Sequence, residues 1–174
     1  MLVNFSQTLT LAATQEETWT LLRDTKRLAH LIPGIEHLTP DLRNAGEVRG
    51  NEPEEKHVAR VVERVGPFRL SLNLEVKIVQ AVEPSFLQAE LSGADSNGQN
   101  RLSGTLRAEL KRNEPAGTQL SMDASIEVMG KLAALGSAPI RRRANELFAQ
   151  FTERLQAELS AAAPGARGLH VHEA

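Results

Sequence analysis

Along the first eleven residues, apolar and polar side chains alternate. Val3, Phe5, Leu9 and Leu11 fall on one parity, while Asn4, Ser6, Thr8 and Thr10 fall on the other. A period of two predicts a half-buried strand. At Thr14 the period changes: Thr14 and Glu17 have the spacing of a capping box, and Trp19 and Leu22 open a helical stripe. The stretch "TKRLAHLIPG" predicts a second short helix, stopped by Pro33 and Gly34 and preceded by Asp24, a residue suited to capping it.

From Ile35 to Val128 the pattern is that of successive antiparallel strands. "EKHVARVVERV" and "FRLSLNLEVKIV" flank Gly66-Pro67, which predicts a tight turn. In the second of these runs Phe68, Leu70, Leu72, Leu74, Val76 and Ile78 share a face; Arg69, Ser71, Asn73, Glu75 and Lys77 share the opposite one. "FLQAELSG" and "RLSGTLRAELKR" are separated by "ADSNGQN", whose Asn-Gly pair signals a hairpin, with Asp95 beside it as a stabiliser. "QLSMDASIEVMG" alternates once more. Residues 41–55 are polar and turn-rich, which predicts a hairpin extension or a mobile loop.

The last element is long. Ile140, Ala144, Leu147, Phe148, Phe151, Leu155 and Leu159 recur at helical spacing from about Ser137 to Ser160. Residues 161–174 lose all periodicity and predict a flexible polar tail after a single domain at 1–160. One strand, two short helices, about six further strands and one long helix predict an α+β fold. The curved antiparallel sheet, about seven strands in all, wraps round the C-terminal helix so that both apolar stripes are buried together.

Composition narrows what such a fold does. Hydrophobic residues make up 41%, charged residues 24% and aromatics 3% of the 174-residue chain, and the net charge is −2. That balance supplies neither a basic field nor stacking platforms for nucleic acid. Cysteine is absent, which excludes thiol nucleophiles, disulfides and thiolate metal sites. The N-terminus lacks a basic n-region, and no apolar run approaches the ~18 residues of a spanning helix. These features predict a cytoplasmic protein with no transmembrane segment.

Motifs for catalysis are missing. Before Gly130-Lys131, a phosphate loop requires a glycine where Ser125 stands and a hydroxyl where Leu132 stands, so that pair reads as a strand exit. His170 and His172 with Glu173 have chelating side chains but lie in the predicted tail, and no metal site is expected. His30 and His37 bracket the Ile-Pro-Gly turn, where exposure is the expectation. Gln7 shares the inward parity of Val3, Phe5 and Leu9; it either satisfies a buried backbone group or offers a polar contact. Other polar groups on the inward parity look almost absent, so no catalytic residue is assigned.

What the inward parity does carry is small and flexible side chains. Gly104, Ala108 and Ala124 lie among Leu102, Leu106, Leu110, Leu120, Met122, Ile126 and Val128. They suit an apolar pocket, and equally a close helix crossing. Near the long helix's start, Arg141, Arg142 and Arg143 spread over roughly 200° of arc and cannot all face one partner. They read either as a solvated turn or, with Lys131, as a patch facing a partner or anionic lipid.

Several segments carry a family resemblance: "EETWTLLRDTKRLAHLIPG" at 16–34, "VGPFRLSLNLEV" at 65–76, "LSGADSNG" at 91–98 and "GTQLSMDASIEVMGKLAALG" at 117–136. In this order the chain resembles the helix-grip superfamily of START and Bet v 1-like (SRPBCC) domains. Within it the chain is most similar to the carbon monoxide dehydrogenase G-subunit (CoxG) family. The resemblance implies non-enzymatic binding of a lipophilic small molecule, a lipid or a quinone, with no cofactor otherwise required. It also implies an accessory role to a molybdenum hydroxylase of carbon monoxide dehydrogenase type, with peripheral contact at the inner face of the membrane. Two alternatives remain open, a ligand-free docking or assembly factor and a polyketide cyclase-like enzyme.

The expected cavity lining draws on every layer. The first helices supply Trp19, Leu31 and Ile32, and the strands supply Leu74, Val76, Leu106, Ala108, Met122, Ala124 and Ile126. "KLAAL" and the long helix supply Leu132, Leu135, Ile140, Ala144, Leu147 and Phe148. Ligand access is expected between the Ile-Pro-Gly turn and "KLAALG", with Lys131, Arg141, Arg142 and Arg143 facing a partner or membrane.

Overall fold

The computed structural model describes residues 1–40, 48–49, 52–53, 55–114 and 117–162. Strand β1 (Leu2–Leu11) leads into helices α1 (Gln15–Arg23) and α2 (Thr25–Leu31). Then come β2 (Ile35–Pro40), the two-residue strands β3 (Val48–Arg49) and β4 (Glu52–Pro53), and the long strands β5 (Glu55–Val65) and β6 (Phe68–Val82). Strands β7 (Phe86–Ala94), β8 (Asn100–Asn113) and β9 (Gly117–Gly130) follow, then a 3-10 helix (Lys131–Leu135) and helix α3 (Ser137–Ala162). The predicted tail lies almost wholly outside the described residues, as does most of 41–55. Within the latter, β3 and β4 pair as a small hairpin extension.

Local chemistry sets the boundaries. The Thr14 hydroxyl accepts from the Glu17 amide, and the Glu17 carboxylate accepts from the Thr14 amide, closing the capping box at the start of α1. Asp24 then caps α2, its carboxylate accepting from the Arg27 amide at 3.3 Å. Gly130 ends β9 with φ at +97°, and a Cβ there would collide with the Gln99 carbonyl. Only glycine takes the chain out of the sheet at that point.

Seven strands form one antiparallel sheet in the order β1-β9-β8-β7-β6-β5-β2. Register places the predicted inward residues in rows: Leu102 opposite Val128, Gly104 opposite Ile126, Leu106 opposite Ala124, Ala108 opposite Met122 and Leu110 opposite Leu120. Gly93 and Gly104 lie on this concave side where strands crowd. A Cβ at Gly104 would meet the Ser125 carbonyl and Ile126, and one at Gly93 would meet Leu74 and the Asn73 carbonyl.

Helix α3 has 26 residues, about 39 Å of helix. Its backbone approaches β1 and β5, near opposite edges of the sheet, and has no comparable approach to β6, β7, β8 or β9. The helix therefore bridges the cup, and its side chains reach the floor toward both ends, Leu155 and Leu159 beside Leu110 and Leu120, and Ile140 beside Val128. The small residues on β7, β8 and β9 do not serve a close backbone crossing.

Candidate functional site

The core of the cup is divided. One buried cluster gathers Leu9, Leu11, Trp19, Leu21, Leu31, Leu110, Leu120, Leu155 and Leu159 beneath α1 and α2. A second gathers Val3, Val65, Leu70, Leu72, Val128, Leu132 and Ile140 toward the 3-10 helix and the start of α3. Between them the concave floor carries Leu74, Val76, Leu91 and Leu106, and α3 presents Leu147, Phe148 and Phe151. All of these remain only half-buried, although none of the strand residues among them lies on the solvent-facing parity. Close-packed interiors leave few voids larger than a water. Inward apolar side chains that keep accessible surface mark where this core is least filled. Phe5 of β1 and Phe148 of α3 pack together there with ring centroids 5.8 Å apart.

The expected lining residues divide along the same line. Trp19 and Leu31 are fully built into the first cluster, Leu132 and Ile140 into the second, and Leu135 packs against the second. Leu74, Val76, Leu106, Ala108, Met122, Ile126, Ala144, Leu147 and Phe148 are half-buried; Ala124 is buried and lies between the clusters. Ile32 terminates α2 and is half-buried.

Strand β5 adds polar groups that the sequence pattern did not reveal. Its register sets His57 opposite Val76, Ala59 opposite Leu74, Val61 opposite Leu72 and Glu63 opposite Leu70. Glu55, His57 and Glu63 thus share the concave face with buried Ala59 and Val65, which corrects the expectation of an almost purely apolar inward parity. The odd positions of β5 mix these three with Ala59, Val61 and Val65, while the even positions mix Lys56, Arg60 and Arg64 with Val58 and Val62. Neither parity is clearly apolar, and only pairing with β6 decides between them.

Each of these groups has a defined environment. Arg23, in the last turn of α1, donates to Glu55 Oε2 at 2.7 Å, and His57 Nε2 lies 3.1 Å from Glu55 Oε1. Burial pushes the Glu55 carboxyl up, and the hydrogen bonds from Arg23 and His57 outweigh it, holding the group below its ordinary 4.5. Glu63 accepts from Arg143 Nε at 3.0 Å and Nη2 at 2.6 Å, a forked pair joining β5 to α3. Arg143 also reaches Glu146 at 2.8 Å. Arg143 is therefore turned toward the sheet and is not part of an outward patch, whereas Lys131, Arg141 and Arg142 are exposed.

The expected entrance is bridged. Glu63 lies against Gly34 of the Ile-Pro-Gly turn, and the Val62 amide donates to the Gly34 carbonyl at 2.9 Å. Leu135 of the 3-10 helix stands over Gly66. "KLAAL" is held from its other side: the Leu132 amide donates to Asn100 Oδ1 at 2.8 Å, and Asn100 Nδ2 donates to Asp95 at 2.9 Å. Partial desolvation raises the Asp95 carboxyl, and hydrogen bonds from Asn100, Gln99 and Gly98 more than offset it, keeping it below its ordinary value.

A hollow of about 920 Å³ lies on the opposite, convex face. Its walls are His37, Arg60, Asn73, Glu75, Ser92, Arg101, Ser103 and Met129, with the backbone of β5 to β8 as floor. It is open to solvent, and charged side chains stand around a lining that is more apolar than polar. His30 and His37 are both exposed. Among the described residues no group of three or more His, Asp or Glu is placed to hold a metal ion, and no helix is long and apolar enough to cross a membrane. His170 and His172 lie outside the described residues.

A seven-stranded antiparallel sheet gripping one long C-terminal helix, with two short helices after β1, defines a helix-grip fold of START and Bet v 1-like type. Solved structures agree. A conserved protein from Geobacillus kaustophilus superimposes with a TM-score of 0.76 at 22% identity over 92% of this chain and 97% of its own. A START superfamily protein from Mycobacterium smegmatis gives 0.62 at 16% identity, over 92% of this chain and 99% of its own. Ara h 8.0201 gives 0.60 at 14% identity over the same shares. The chain belongs to the carbon monoxide dehydrogenase G-subunit (CoxG) family, whose model matches residues 8–160. No curated protein matches it.

Proposed function

We propose that this chain is a binding protein whose cup holds a lipophilic small molecule, lipid- or quinone-like in class, and which acts as accessory to a molybdenum hydroxylase of carbon monoxide dehydrogenase type. The observation that carries the reading is the divided core. Two packed clusters flank a stretch where Leu74, Val76, Leu106, Leu147 and Phe148 face inward yet keep accessible surface. Covering that surface with a ligand gains about 25 cal/mol per Å², or about 2.5 kcal/mol for each 100 Å² buried. Family membership supports the partner class, and Lys131, Arg141 and Arg142, exposed near the start of α3, are the residues offered to that partner or to an anionic membrane.

Solvent extraction of the purified protein followed by mass spectrometry tests the reading. The expected result is one amphiphile near stoichiometric amount. An empty extract, together with no uptake of lipophilic molecules from vesicles of total cell lipid, would exclude a carrier role.

A further inference from the structure

We propose that His57 is the polar anchor of the cup, and that it selects a ligand bearing a hydroxyl or N–H donor; this rests on the lipophilic-ligand reading above. The imidazole stands on the concave face of β5, between Glu55 and Ala59 along the strand and opposite Val76 on β6. Its side chain is only 12% exposed. Nδ1 is the one buried side-chain polar atom without a hydrogen-bond partner among the described residues. Leaving a buried acceptor unmade costs stability, and native proteins rarely do so without a reason.

The other ring nitrogen explains which kind of group completes the site. Glu55 is an acceptor only, so Nε2, 3.1 Å from Oε1, carries the proton and donates. Arg23 holds the same carboxylate from α1 at 2.7 Å, which keeps Glu55 ionised and in place. In the neutral tautomer that donates from Nε2, Nδ1 presents a lone pair. An acceptor selects a donor. A lipophilic molecule with an alcohol, phenol or amide N–H satisfies it, as does the quinol form of a quinone-like ligand, whereas one offering only carbonyl or ether oxygens, the oxidised quinone included, leaves it unpaired. A side chain that served packing alone against Val76 and Ala59 would not need this arrangement, since leucine or phenylalanine fills such space without an unmet acceptor.

Naphthol and its methyl ether form the test pair, being close in shape and differing in the single donor. Binding is followed by fluorescence titration, and the imidazole nitrogens are followed by NMR in histidine-labelled wild-type protein. Naphthol is expected to bind roughly tenfold more tightly than the ether, the scale of one satisfied buried hydrogen bond. The ratio should fall to about one in His57→Phe, and naphthol alone should shift the Nδ1 resonance. Equal affinity of the two probes for wild type, or an Nδ1 resonance indifferent to naphthol, overturns the anchor while leaving the cup intact. Binding of neither probe overturns the cup reading along with it. The NMR arm needs no variant, so the outcome stands even where His57→Phe fails to fold.

Discussion

Glu55 shows how one side chain in a β-strand is tuned by what the fold brings to it. Burial alone would favour its neutral form, yet Arg23 from α1 and His57 two residues along the strand hold it ionised and lower its pKa below 4.5. A carboxyl depressed in the folded state adds stability that is complete once pH exceeds the unfolded-chain value, and that stability is lost as pH falls through the lower folded-state value. Glu55→Gln is therefore expected to be less stable than wild type near neutral pH, and the difference is expected to shrink at acid pH as the wild-type carboxyl is protonated. Urea denaturation at neutral and acid pH checks this; parallel stability curves for the two proteins would show that the Arg23–Glu55–His57 chain contributes nothing to folding. Asp95, another depressed carboxyl, acts on the outside of the molecule and adds to the same acid limb.

At the scale of elements, the cup is closed by attachments at its edges. The first turns of α3 are tied to β5 by Arg143 and Glu63, whose side chains are 29% and 12% exposed. Removing Arg143 strands Glu63 among apolar neighbours, so Arg143→Met should cost about 2 kcal/mol, while Glu63→Met with Arg143→Met should recover most of the loss. A double-mutant cycle reads the coupling directly, and additive single effects would mean that the pair does not bind helix to sheet. Most of this architecture was legible in the sequence wherever one parity was plainly apolar: β1, β6, β8 and β9, the stripe of α3 and the capping residues of α1 and α2. The site was less legible. Small residues at Gly104, Ala108 and Ala124 fit either a pocket or a close crossing, and the sequence does not separate the two because the difference depends on how near α3 comes to β8 and β9. Arg143 was indistinguishable from Arg141 and Arg142 along a helix of three consecutive arginines, because its direction depends on Glu63, eighty residues earlier. His57 and Glu63 were hidden by the mixed parities of β5.

For the molecule as a whole, the divided core makes a prediction that separates an open cup from a filled one. Ala108 is half-buried on β8, opposite Met122 and Leu87 and beside the first cluster. In a filled interior, Ala108→Leu would overpack, displace neighbours and cost about 1–3 kcal/mol. In a cup with unfilled space at its centre, the added carbons find room against Leu106 and Met122 and remove apolar surface from water, worth about 0.8 kcal/mol per methylene. The expected outcome is a stability equal to wild type or about 1 kcal/mol greater, measured by thermal or urea unfolding of ligand-stripped protein. The same substitution should weaken naphthol binding, since leucine now occupies part of the volume that the ligand fills. A destabilised variant that binds naphthol normally would place the ligand elsewhere, and the open hollow on the convex face would then become the region to examine. Stability and binding are expected to move in opposite directions because they compete for one space. The fold holds its edges together through the contacts of α3 with β1, β5 and the 3-10 helix.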